Sequence, residues 1–562
     1  MGQQPPAAPL PAAPADTGRL IRIHYAEKSI IIQRDSLTNK LILVGKVKMQ
    51  QGNTFFYCDS LIKDNITNQV EAFGNVHIND ADSVHIYSQY LRFDGNTRIT
   101  RLQKKVRLTD GKADLTTNEL EYDLNAKVGT YLQGGKVVNK SSVLTSQEGY
   151  YYADTREVYF KQNVRLTDPE YTMATDTLLY NIDQELATFL AATTINDGKS
   201  TIRTRSGFYD LRNGNASFGN RPEIQDSSQT IIAEKINYDK KSGEGIAEGN
   251  VVYRDTAQGT TILAGLARFN SGTKEVLATA KPLMILEQDK DSLFIAADTL
   301  FSYTAPDTLR IPIPDSSLKL AKRKDSLPAA VDTQGKPVAG IPRADLDSTE
   351  KPPATVPRPA QDSAVTQQFR LQVDSVRFFK AYHHVRIFSD SLQGVCDSLS
   401  YSSRDSIFRF FRDPVLWSGS SQVSGDTIYL LTKNRKADQV LIFENGFSIS
   451  RTPESYFNQI RGNRLNGVFR DGSIDYLRAK GNAESVYYLQ DDDSAYIGLN
   501  YARADAISMY FVNKELKRVS WVNGVEGTTY PFRQIPDDKK QLRNFNWQES
   551  RRPKTRFELF GQ

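Results

Sequence analysis

The chain has 562 residues, with 71 Lys or Arg and 66 Asp or Glu, so its formal net charge is +5. Such a small excess, with basic residues scattered among acidic ones, argues against a nucleic-acid-binding protein, which needs a clustered basic surface. Hydrophobic residues make up 39% of the chain, which is modest for a compact core, while Tyr and Phe number 27 each. This composition is typical of β-strands that expose one face.

Residues 1–19 are predicted to form an extended leader. The tract from Met1 to Asp16 contains five prolines and lacks the basic start and the apolar run of a secretory signal peptide. It is typical of a chain that has already been processed or trimmed, so the missing signal is only weak support for a cytoplasmic protein. No segment approaches the roughly 20 apolar residues that a membrane-spanning helix needs.

Residues 20–304 carry an internal repeat of about 29 residues. One phase of the repeat is a turn-like Asp or Asn that closes a strand. It recurs at Asp64, Asp94, Asp123, Asp154, Asn181, Asp210, Asp239 and Asn270. The other phase is a β-branched residue, often just after Gly-Asn, Gly-Lys or Gln-Asn. It recurs at Val47, Val76, Val106, Val137, Val164, Ile195, Ile224 and Val251. Such periodicity indicates a repeat protein, in which each unit buries its apolar face against its neighbours.

Each repeat unit is predicted to be entirely β. In the unit at 70–94, Val76 and Ile78 alternate with polar residues, as in a half-buried strand, and residues 79–82 supply a turn. A unit of this length has room for about three strands of six to eight residues. Helical spacing is nowhere sustained over the roughly 11 residues of a typical helix.

The repeat stops near Tyr303. Ten prolines follow between Pro306 and Pro359, and prolines at this density remove ladder hydrogen bonds and stiffen the chain. Residues 305–368 are therefore predicted to be a largely disordered linker or extruded loop. A second, diverged β-region is expected over residues 369–530. The second phase continues through it at lengthening intervals, at Val385, Val415, Phe447, Ala483 and Val525.

Residues 531–562 form a basic C-terminal tail that lacks the repeat. They contain eight Lys or Arg against four Asp or Glu. A solvated tail is the default expectation, and a docking segment for an acidic partner is the alternative.

The two cysteines lie in the same tetrapeptide, Cys58-Asp59-Ser60-Leu61 and Cys396-Asp397-Ser398-Leu399. Their number and spacing exclude a disulfide framework and a CxxC metal site. They are expected to be small buried residues at equivalent repeat positions, and the sequence leaves open whether they pair.

Sequence signatures of catalysis are absent. The GxSxG, HExxH, Walker and GxGxxG patterns do not occur, so neither an enzyme nor a bound cofactor or metal is expected. His77 and His85 flank a turn and are expected to be surface residues. His383 and His384 would point to opposite faces of a regular strand and cannot share a metal there. The run at 491–493, Asp-Asp-Asp, lacks the spaced ligands of a calcium loop and is expected to be a solvated turn.

A recurring phrase connects the repeats to a known family. It consists of Ala or Cys, Asp, Ser or Thr, and Leu, then an aromatic-Asp turn, then Gly-Asn-Val. It occurs as YCDSLIKDNITNQVEAFGNVHI at 57–78, MATDTLLYNIDQELATF at 173–189 and IIAEKINYDKKSGEGIAEGNVVY at 231–253. In this the chain resembles the OstA/LptA family of periplasmic lipopolysaccharide-transport proteins, whose fold also forms the N-terminal part of the outer-membrane translocon LptD. The resemblance is strong over residues 21–303 and weaker over residues 369–530.

The resemblance implies a twisted, open β-jelly roll, or β-taco, made of two antiparallel sheets at a V-shaped angle. Family members carry the acyl chains of lipopolysaccharide in the trough between the sheets, and they stack edge strand on edge strand into a bridge across the periplasm. This chain is longer than a one-domain bridge protein and lacks the long C-terminal run of strands that an LptD translocon would need. One chain is therefore expected to cover a length that shorter relatives reach by oligomerising.

Strand alternation predicts which residues would line such a trough. The candidates are Val47, Met49, Val76, Ile78, Val106, Leu108, Val137, Val164, Leu166 and Val251. Burying apolar surface contributes about 25 cal/mol per Å², so this row of apolar residues can hold an acyl chain only if the row is long. The residues alone favour the ordinary core of a β-sandwich with nothing between the sheets, whereas the resemblance favours a trough for at least part of the row.

The leading hypothesis is therefore a non-enzymatic periplasmic carrier of lipopolysaccharide or a related glycolipid. The resemblance implies inner-membrane Lpt transporter components and an outer-membrane LptD-type translocon as partners, together with edge-to-edge self-association. The alternative is a closed β-solenoid-like scaffold that binds protein or glycan on its exposed face. An enzyme acting on polysaccharide is a distant third hypothesis, because the Asp residues lie at turns where they have a structural explanation.

Overall fold

The computed structural model describes residues 20–35, 38–287, 291–312, 369–434, 436–470, 473–512 and 515–560. The predicted leader at 1–19 and most of the Pro-rich segment, 313–368, lie outside these residues. The all-β prediction is confirmed, since the described residues form antiparallel strands and four short 3-10 helices. Residues 305–312 belong to a strand that ends at Pro312, rather than to a linker.

Through residue 312 the described strands are β1 (Arg22–Tyr25), β2 (Lys28–Asp35), β3 (Thr38–Gln51), β4 (Thr54–Asp64), β5 (Gln69–Asp80), β6 (Val84–Asp94), β7 (Ile99–Thr109), β8 (Ala113–Asp123), β9 (Val128–Tyr131), β10 (Gly135–Asn139), β11 (Ser142–Ser146), β12 (Glu148–Tyr152), β13 (Glu157–Thr167), β14 (Thr172–Asn181), β15 (Leu186–Phe189), β16 (Thr193–Asn196), β17 (Ser200–Thr204), β18 (Ser206–Asp210), β19 (Asn215–Gly219), β20 (Glu223–Asp226), β21 (Gln229–Ile232), β22 (Lys235–Asp239), β23 (Glu244–Asp255), β24 (Thr260–Asn270), β25 (Glu275–Thr279), β26 (Leu283–Leu286), β27 (Leu293–Ala296) and β28 (Thr299–Pro312). From residue 369 they are β29 (Phe369–Phe388), β30 (Gln393–Ser402), β31 (Ile407–Phe411), β32 (Val415–Ser418), β33 (Ser421–Ser424), β34 (Thr427–Lys433), β35 (Lys436–Arg451), β36 (Phe457–Arg470), β37 (Ser473–Gln490), β38 (Tyr496–Val512), β39 (Glu515–Val522) and β40 (Glu526–Pro531). The 3-10 helices span Phe532–Gln534, Asp537–Lys539, Glu549–Arg551 and Arg556–Phe560.

A regular repeat unit is a pair of long strands. β5 and β6 have 12 and 11 residues and pair from Gln69↔Asp94 to Asp80↔Val84. The prediction of three short strands per unit is wrong for this pair. The bend in the middle of β5 carries turn-like residues, but the strand continues through it.

That bend is a left-handed corner. At Gly74 and Asn75 φ is +72° and +43°, and the register of β5 against β6 shifts between Phe73 and Val76. The same two-residue bend recurs at 45–46, 104–105, 162–163, 220–221, 249–250, 280–281, 383–384, 412–413, 444–445, 481–482 and 523–524. Gly and Asn tolerate positive φ better than other residues, which explains the Gly-Asn and Gln-Asn pairs of the sequence. At five positions the β-branched phase of the repeat directly follows such a corner: Val47, Val76, Val106, Val164 and Val251.

The corners fold one antiparallel ladder into two layers. Layer A contains the strand halves next to turns such as 81–83, and layer B contains the halves next to turns such as 65–68. Phe56 of layer A and Phe93 of layer B have ring centroids 4.9 Å apart, so the layers face each other. One cluster of buried apolar side chains lies between them and runs from Leu43 to Met509.

The second β-region continues both layers. β27 pairs with β29 through Ile295↔Ile387, and β25 pairs with β28 through Leu277↔Phe301. The described residues before Thr304 and after Arg377 form one compact unit. In the other unit, the described residues are 304–312 of β28 and 369–377 of β29, and Val376 is buried. The lengthening repeat intervals of the second region therefore come from longer strands and turns between corners that keep their geometry.

The Asp of the recurring Cys-Asp-Ser-Leu phrase holds a corner in place. Asp59 Oδ2 accepts a hydrogen bond from Asn75 Nδ2 at 2.9 Å, across the bend in the next strand. Asp426 accepts from Asn445 Nδ2 at 3.2 Å in the same way. A carboxylate that faces a left-handed corner residue is thus a recurring part of the repeat.

His383 and His384 are themselves a corner pair. Their φ angles are +60° and +52°, so they do not lie in a regular strand as the sequence suggested. The Nδ1 atom of His383 lies 3.2 Å from Asp397, and that of His384 lies 2.9 Å from Asp298. The two rings therefore face different carboxylates.

The first phase of the repeat is confirmed as a turn stabilised by its own side chain. Asp64 Oδ1 accepts hydrogen bonds from the backbone N–H groups of Thr67 and Ile66, and these donors hold its pKa below the usual range. Equivalent bonds form at Asp94, Asp123, Asp210, Asp239 and Asn270. The run at 491–493 is also a turn, because Asp491 Oδ1 accepts from the N–H groups of Asp493 and Ala495.

We expect Gly74→Ala to lower the free energy of unfolding by about 2–3 kcal/mol, since the left-handed conformation costs about 1–2 kcal/mol and a lost hydrogen bond about 1. An added Cβ would lie 2.3 Å from Asp59 Oδ2, so the carboxylate must leave Asn75. Gly111→Ala is the matched control, because φ is +81° there and nothing lies within 4 Å. Urea denaturation measures both. Equal losses in the two variants would show that Asp59 does not hold the corner.

Residues 532–560 pack along the outer surface of layer A, and we call them the C-terminal strap. Gln459 Nε2 donates to Lys540 O at 2.9 Å, and its Oε1 accepts from the N–H of Leu542 at 2.8 Å. Gln422 Nε2 donates to Asn546 O at 2.7 Å. The expectation of a solvated tail is therefore wrong for these residues.

The strap reaches from the last strands back to the first β-region. Arg552 donates to Gln393 Oε1 at 2.6 Å, and Arg386 donates to Glu558 O at 2.9 Å. Leu559, 3% exposed, packs with Leu283 and other apolar residues of the first region. The strap thus covers apolar side chains on the outer surface of layer A, which include Phe447, Ile449, Val486, Tyr488 and Leu499.

Candidate functional site

The interior between the layers is the candidate site. All ten predicted trough residues lie in the cluster that fills it, with exposed fractions between 0% for Ile78 and 5% for Val137. They are carried by β3, β5, β7, β10, β13 and β23. Each lies in a layer A half-strand, so the sequence prediction identified residues of one wall of the interior.

Layer B supplies the opposite wall, which the sequence analysis missed. Its side chains are larger, and several are fully buried aromatic rings: Phe93, Tyr122, Tyr131, Phe160, Phe189 and Phe218. The signal for this wall is the Leu of the recurring Asp-Ser-Leu phrase, because Leu61 is buried at 1% exposure on the inner face of layer B. Leu61 follows the register shift in β4, where the alternation of buried and exposed residues resumes.

The interior is closely filled around Tyr131. A Cβ added to Gly135 or to Gly149 would lie 2.4 Å or 2.3 Å from its ring. Tyr131 Oη also lies 2.7 Å from Ser146 Oγ, at the edge of the same site. A large ring therefore occupies space that two glycines provide, and a ligand here would have to displace it.

The two layers are joined covalently at the corners, whereas along their turns they meet through side chains. We call the contacts between the turns of layer A and the turns of layer B the rim seam. Its ion pairs are Lys112–Asp183 at 2.5 Å, Lys140–Glu185 at 2.6 Å, Lys240–Glu170 at 2.9 Å and Lys274–Asp226. Its other hydrogen bonds include those from Tyr122 Oη to Asp80 at 3.1 Å, from Tyr151 Oη to Asp110 at 3.2 Å and from Gln51 Nε2 to Gly95 O at 3.1 Å.

The seam carboxylates are tuned by their partners. A hydrogen bond from Lys112 is the main cause that lowers the pKa of Asp183, and one from Lys140 does the same for Glu185. A lowered pKa stabilises the seam above the ordinary carboxyl pKa, and this stabilisation is lost as the pH falls through the lowered value. Burial, followed by the adjacent Asp80, raises the pKa of Tyr122, which therefore remains a donor.

Magnitudes indicate which contacts keep the layers together. Solvent-exposed ion pairs contribute about 0–1 kcal/mol each, whereas burying one large apolar side chain contributes about 1.5–3 kcal/mol. Packing between the layers therefore dominates, and the seam adds a smaller part that depends on salt and pH.

Both cysteines are buried and unpaired. Cys58 and Cys396 are both free and 5% exposed, and burial raises the pKa of each thiol to about 12. The prediction that they are small buried residues at equivalent repeat positions is confirmed.

His77 and His85 lie on the outer surface of layer A. His77 Nε2 is 3.1 Å from His85 Nδ1, and the His77 ring stacks against Tyr57 and Tyr87 at centroid distances of 5.3 Å and 4.5 Å. Burial lowers the pKa of His77, so this stack favours a neutral ring. No group of three or more potential metal ligands occurs in the part of the chain that the structure describes.

Comparison with known families decides the assignment of the first part of the chain. Residues 20–176 match the OstA-like protein family. These residues are OstA-like. The match confirms the resemblance over these residues, which include nine of the predicted trough residues, from Val47 to Leu166. The two-layer ladder continues without a break beyond this OstA-like stretch.

A search of curated proteins found no match to the chain. In the described ranges, no helix is long and apolar enough to cross a membrane.

Proposed function

We propose that this OstA-like chain is a non-enzymatic periplasmic carrier that bridges lipopolysaccharide, or a related glycolipid, toward the outer membrane. The observation that carries the proposal is the apolar interior, which extends without a break from the OstA-like stretch to Met509. An interior lined on both walls by side chains such as Ile78 and Phe93 suits acyl chains, which need apolar contact along their whole length.

In acyl-chain uptake, the free energy lost by separating the two walls is offset by the free energy gained when the acyl chain is buried between them. Parting the layers exposes apolar surface at about 25 cal/mol per Å², and each acyl methylene that fills the gap returns about 0.8 kcal/mol. A chain of about a dozen methylenes therefore contributes roughly 10 kcal/mol, comparable to the burial of several core side chains. The lipid replaces the contacts that the opposite wall makes in the closed state.

The ends of the ladder suit edge-to-edge partners. β1 and β2 form its N-terminal edge, where Ile31 is 70% exposed and Tyr25 is 51% exposed. β39 and β40 form the C-terminal edge, where Val525 is 55% exposed. Open strands with exposed apolar side chains pair readily with strands of another chain. On this basis, the partners would be inner-membrane Lpt transporter components, an LptD-type translocon or a second copy of this chain.

A photo-crosslinking amino acid at Val76 or Val106 tests the carrier function. We expect each to form adducts with lipopolysaccharide, because both side chains face the interior. The matched controls are His77 and Arg107, whose side chains lie on the outer surface of the same strands, and they should form few adducts. Mass spectrometry of the irradiated full chain identifies the adducts. Absence of lipid at both inner positions would exclude the proposal.

A closed scaffold that binds protein or glycan on its outer surface is the second candidate function. The observation that favours it is the close packing of the interior, in which no predicted trough residue exceeds 5% exposure. The same experiment separates the two functions, since a closed scaffold yields no lipid adducts at Val76 and Val106.

A further inference from the structure

The outer surface of layer B in the second β-region is basic and aromatic. Strand register places alternate residues of β31 and of β34–β39 on this surface, because their neighbours, such as Leu465 and Ala479, are buried in the interior. We call it the basic face. Its cations are Arg409, Arg464, Arg478, Lys480 and Arg518, and its rings are Tyr429, Phe443, Tyr476 and Tyr510.

Cations and rings alternate across the basic face. The guanidinium carbon of Arg518 lies 4.0 Å from the ring centroid of Tyr510, and that of Arg409 lies 5.4 Å from Tyr429. Arg464 lies 5.9 Å from the ring of Phe443. Contacts of this kind orient the guanidinium groups and leave their N–H donors available to an anion.

Asp475 lies at the margin of this surface, beside a register shift in β37, and pairs with Arg470 at 3.3 Å. Asp405, in an adjoining turn, pairs with Arg409, but Arg464, Arg478 and Lys480 form no ion pair with any described residue. The equivalent surface in the first β-region is balanced, since Arg101 pairs with Glu121 at 2.9 Å. Among the described residues, the second region therefore carries Arg464, Arg478 and Lys480 on this surface without an ion-pair partner, whereas Arg101 of the first region is paired.

Two polar atoms at the centre of the basic face are buried without a partner. Asn466 and Arg478 lie directly opposite each other on β36 and β37, and neither Asn466 Oδ1 nor Arg478 Nε makes a hydrogen bond. Buried polar atoms are nearly always hydrogen-bonded, so such a pair points to a polar group that completes the site. Asn466 Oδ1 can accept from a hydroxyl group, while Arg478 Nε can donate to an anionic oxygen.

We propose that the basic face binds a phosphorylated saccharide, the head group of the glycolipid that the interior would carry. Arg side chains bind phosphate through charge-assisted, often bidentate hydrogen bonds, and aromatic rings pack against sugar rings. The adjacent acceptor on Asn466 and donor on Arg478 match a ligand that carries both hydroxyl and phosphate groups. This inference rests on the proposed function for the source of the ligand, but the face itself is separate from the apolar interior.

The test uses the full chain and the triple variant Arg464→Gln, Arg478→Gln, Lys480→Gln. The probe is de-acylated lipopolysaccharide with its phosphates intact, titrated by calorimetry beside the same saccharide after phosphatase treatment. We expect the triple variant to bind the phosphorylated probe more than tenfold more weakly, and the dephosphorylated probe to lose a similar factor with the unmodified chain. The matched control is Arg92→Gln, Arg101→Gln, Arg268→Gln on the balanced surface, and it should bind normally.

Because the probe has no acyl chains, its binding does not depend on the interior, and failure here is distinguishable from absence of lipid adducts at Val76. Circular dichroism establishes that both triple variants fold. No binding by the unmodified chain, or equal binding by both triple variants, would overturn the inference. Binding to phosphatidylglycerol vesicles but not to the saccharide would also overturn it and would indicate a membrane-contact surface instead.

Discussion

Cross-linking the two rims of the interior is expected to reduce lipid capture roughly tenfold or more, because layers that cannot part exclude the ligand-bound state. The cross-link joins Lys112→Cys to Asp183→Cys through a short bismaleimide, at a pair whose side chains are 2.5 Å apart. Cys58 and Cys396 do not interfere, because both are buried thiols with raised pKa values. Adduct formation by a photo-crosslinking residue at Val106 is the measurement.

A control cross-link within one rim distinguishes the effect of holding the two layers together from the effect of the chemical modification itself. Lys112→Cys and Lys140→Cys both lie on turns of layer A, so joining them leaves the layers free to part. This variant should capture lipid as the unmodified chain does. If the chain locked across the seam still captures lipid, the glycolipid enters through the ends of the ladder, and the seam is not an entrance.

Removing the C-terminal strap after Tyr530 is expected to destabilise the second β-region severely. The strap covers Leu499 and its neighbours, so truncation exposes an apolar surface that should bind the dye ANS and favour aggregation. Within the intact chain, Leu542→Ala and Leu559→Ala should each lower the free energy of unfolding by about 2–4 kcal/mol, since both side chains are at most 4% exposed.

Phe557→Ala is the matched control for the strap, because its side chain is 78% exposed. Its free energy of unfolding should change by no more than about 0.5 kcal/mol. Thermal and urea denaturation measure all three point variants. A truncated chain that keeps its melting temperature and stays soluble would show that the outer surface of layer A is stable without the strap.

The repeat was predictable because its two phases have separate local causes. Asp64 and its equivalents cap turns with their own carboxylates, and this chemistry depends on residues two and three positions away. Val76 and Val106 directly follow a corner and are buried at the same phase, so they recur visibly in the sequence. Both signals are short-range, and sequence patterns capture short-range causes well.

The left-handed two-residue bend could not be predicted from the sequence. Gly74-Asn75 and Lys104-Lys105 adopt the same left-handed pair, although only the first resembles a turn. The bend is imposed by packing two layers around one core, so tertiary contacts override local preference. The count of strands per unit was wrong for this reason, and half of the interior was missed with it, because residues such as Phe93 return to the same interior from the other layer.

The strap was missed because its contacts are long-range. Gln393, Gln422 and Gln459 occupy strand positions that alternation assigns to solvent, yet each is at most 4% exposed. Their partners are more than 80 residues away in sequence. The basic composition of the last residues suggested solvation, whereas Leu542 and Leu559 determine where they lie.

The two-strand repeat also sets how the length of this protein can change. Each unit from one corner to its equivalent adds two strands to both layers, which lengthens the ladder by about 10 Å at the usual strand spacing. Because Gly-Asn, Lys-Lys and His-His all make the corner, a duplicated unit needs no new chemistry to fit between its neighbours. The number of repeats can therefore be matched to a distance in steps of one unit, while both terminal edges stay unchanged.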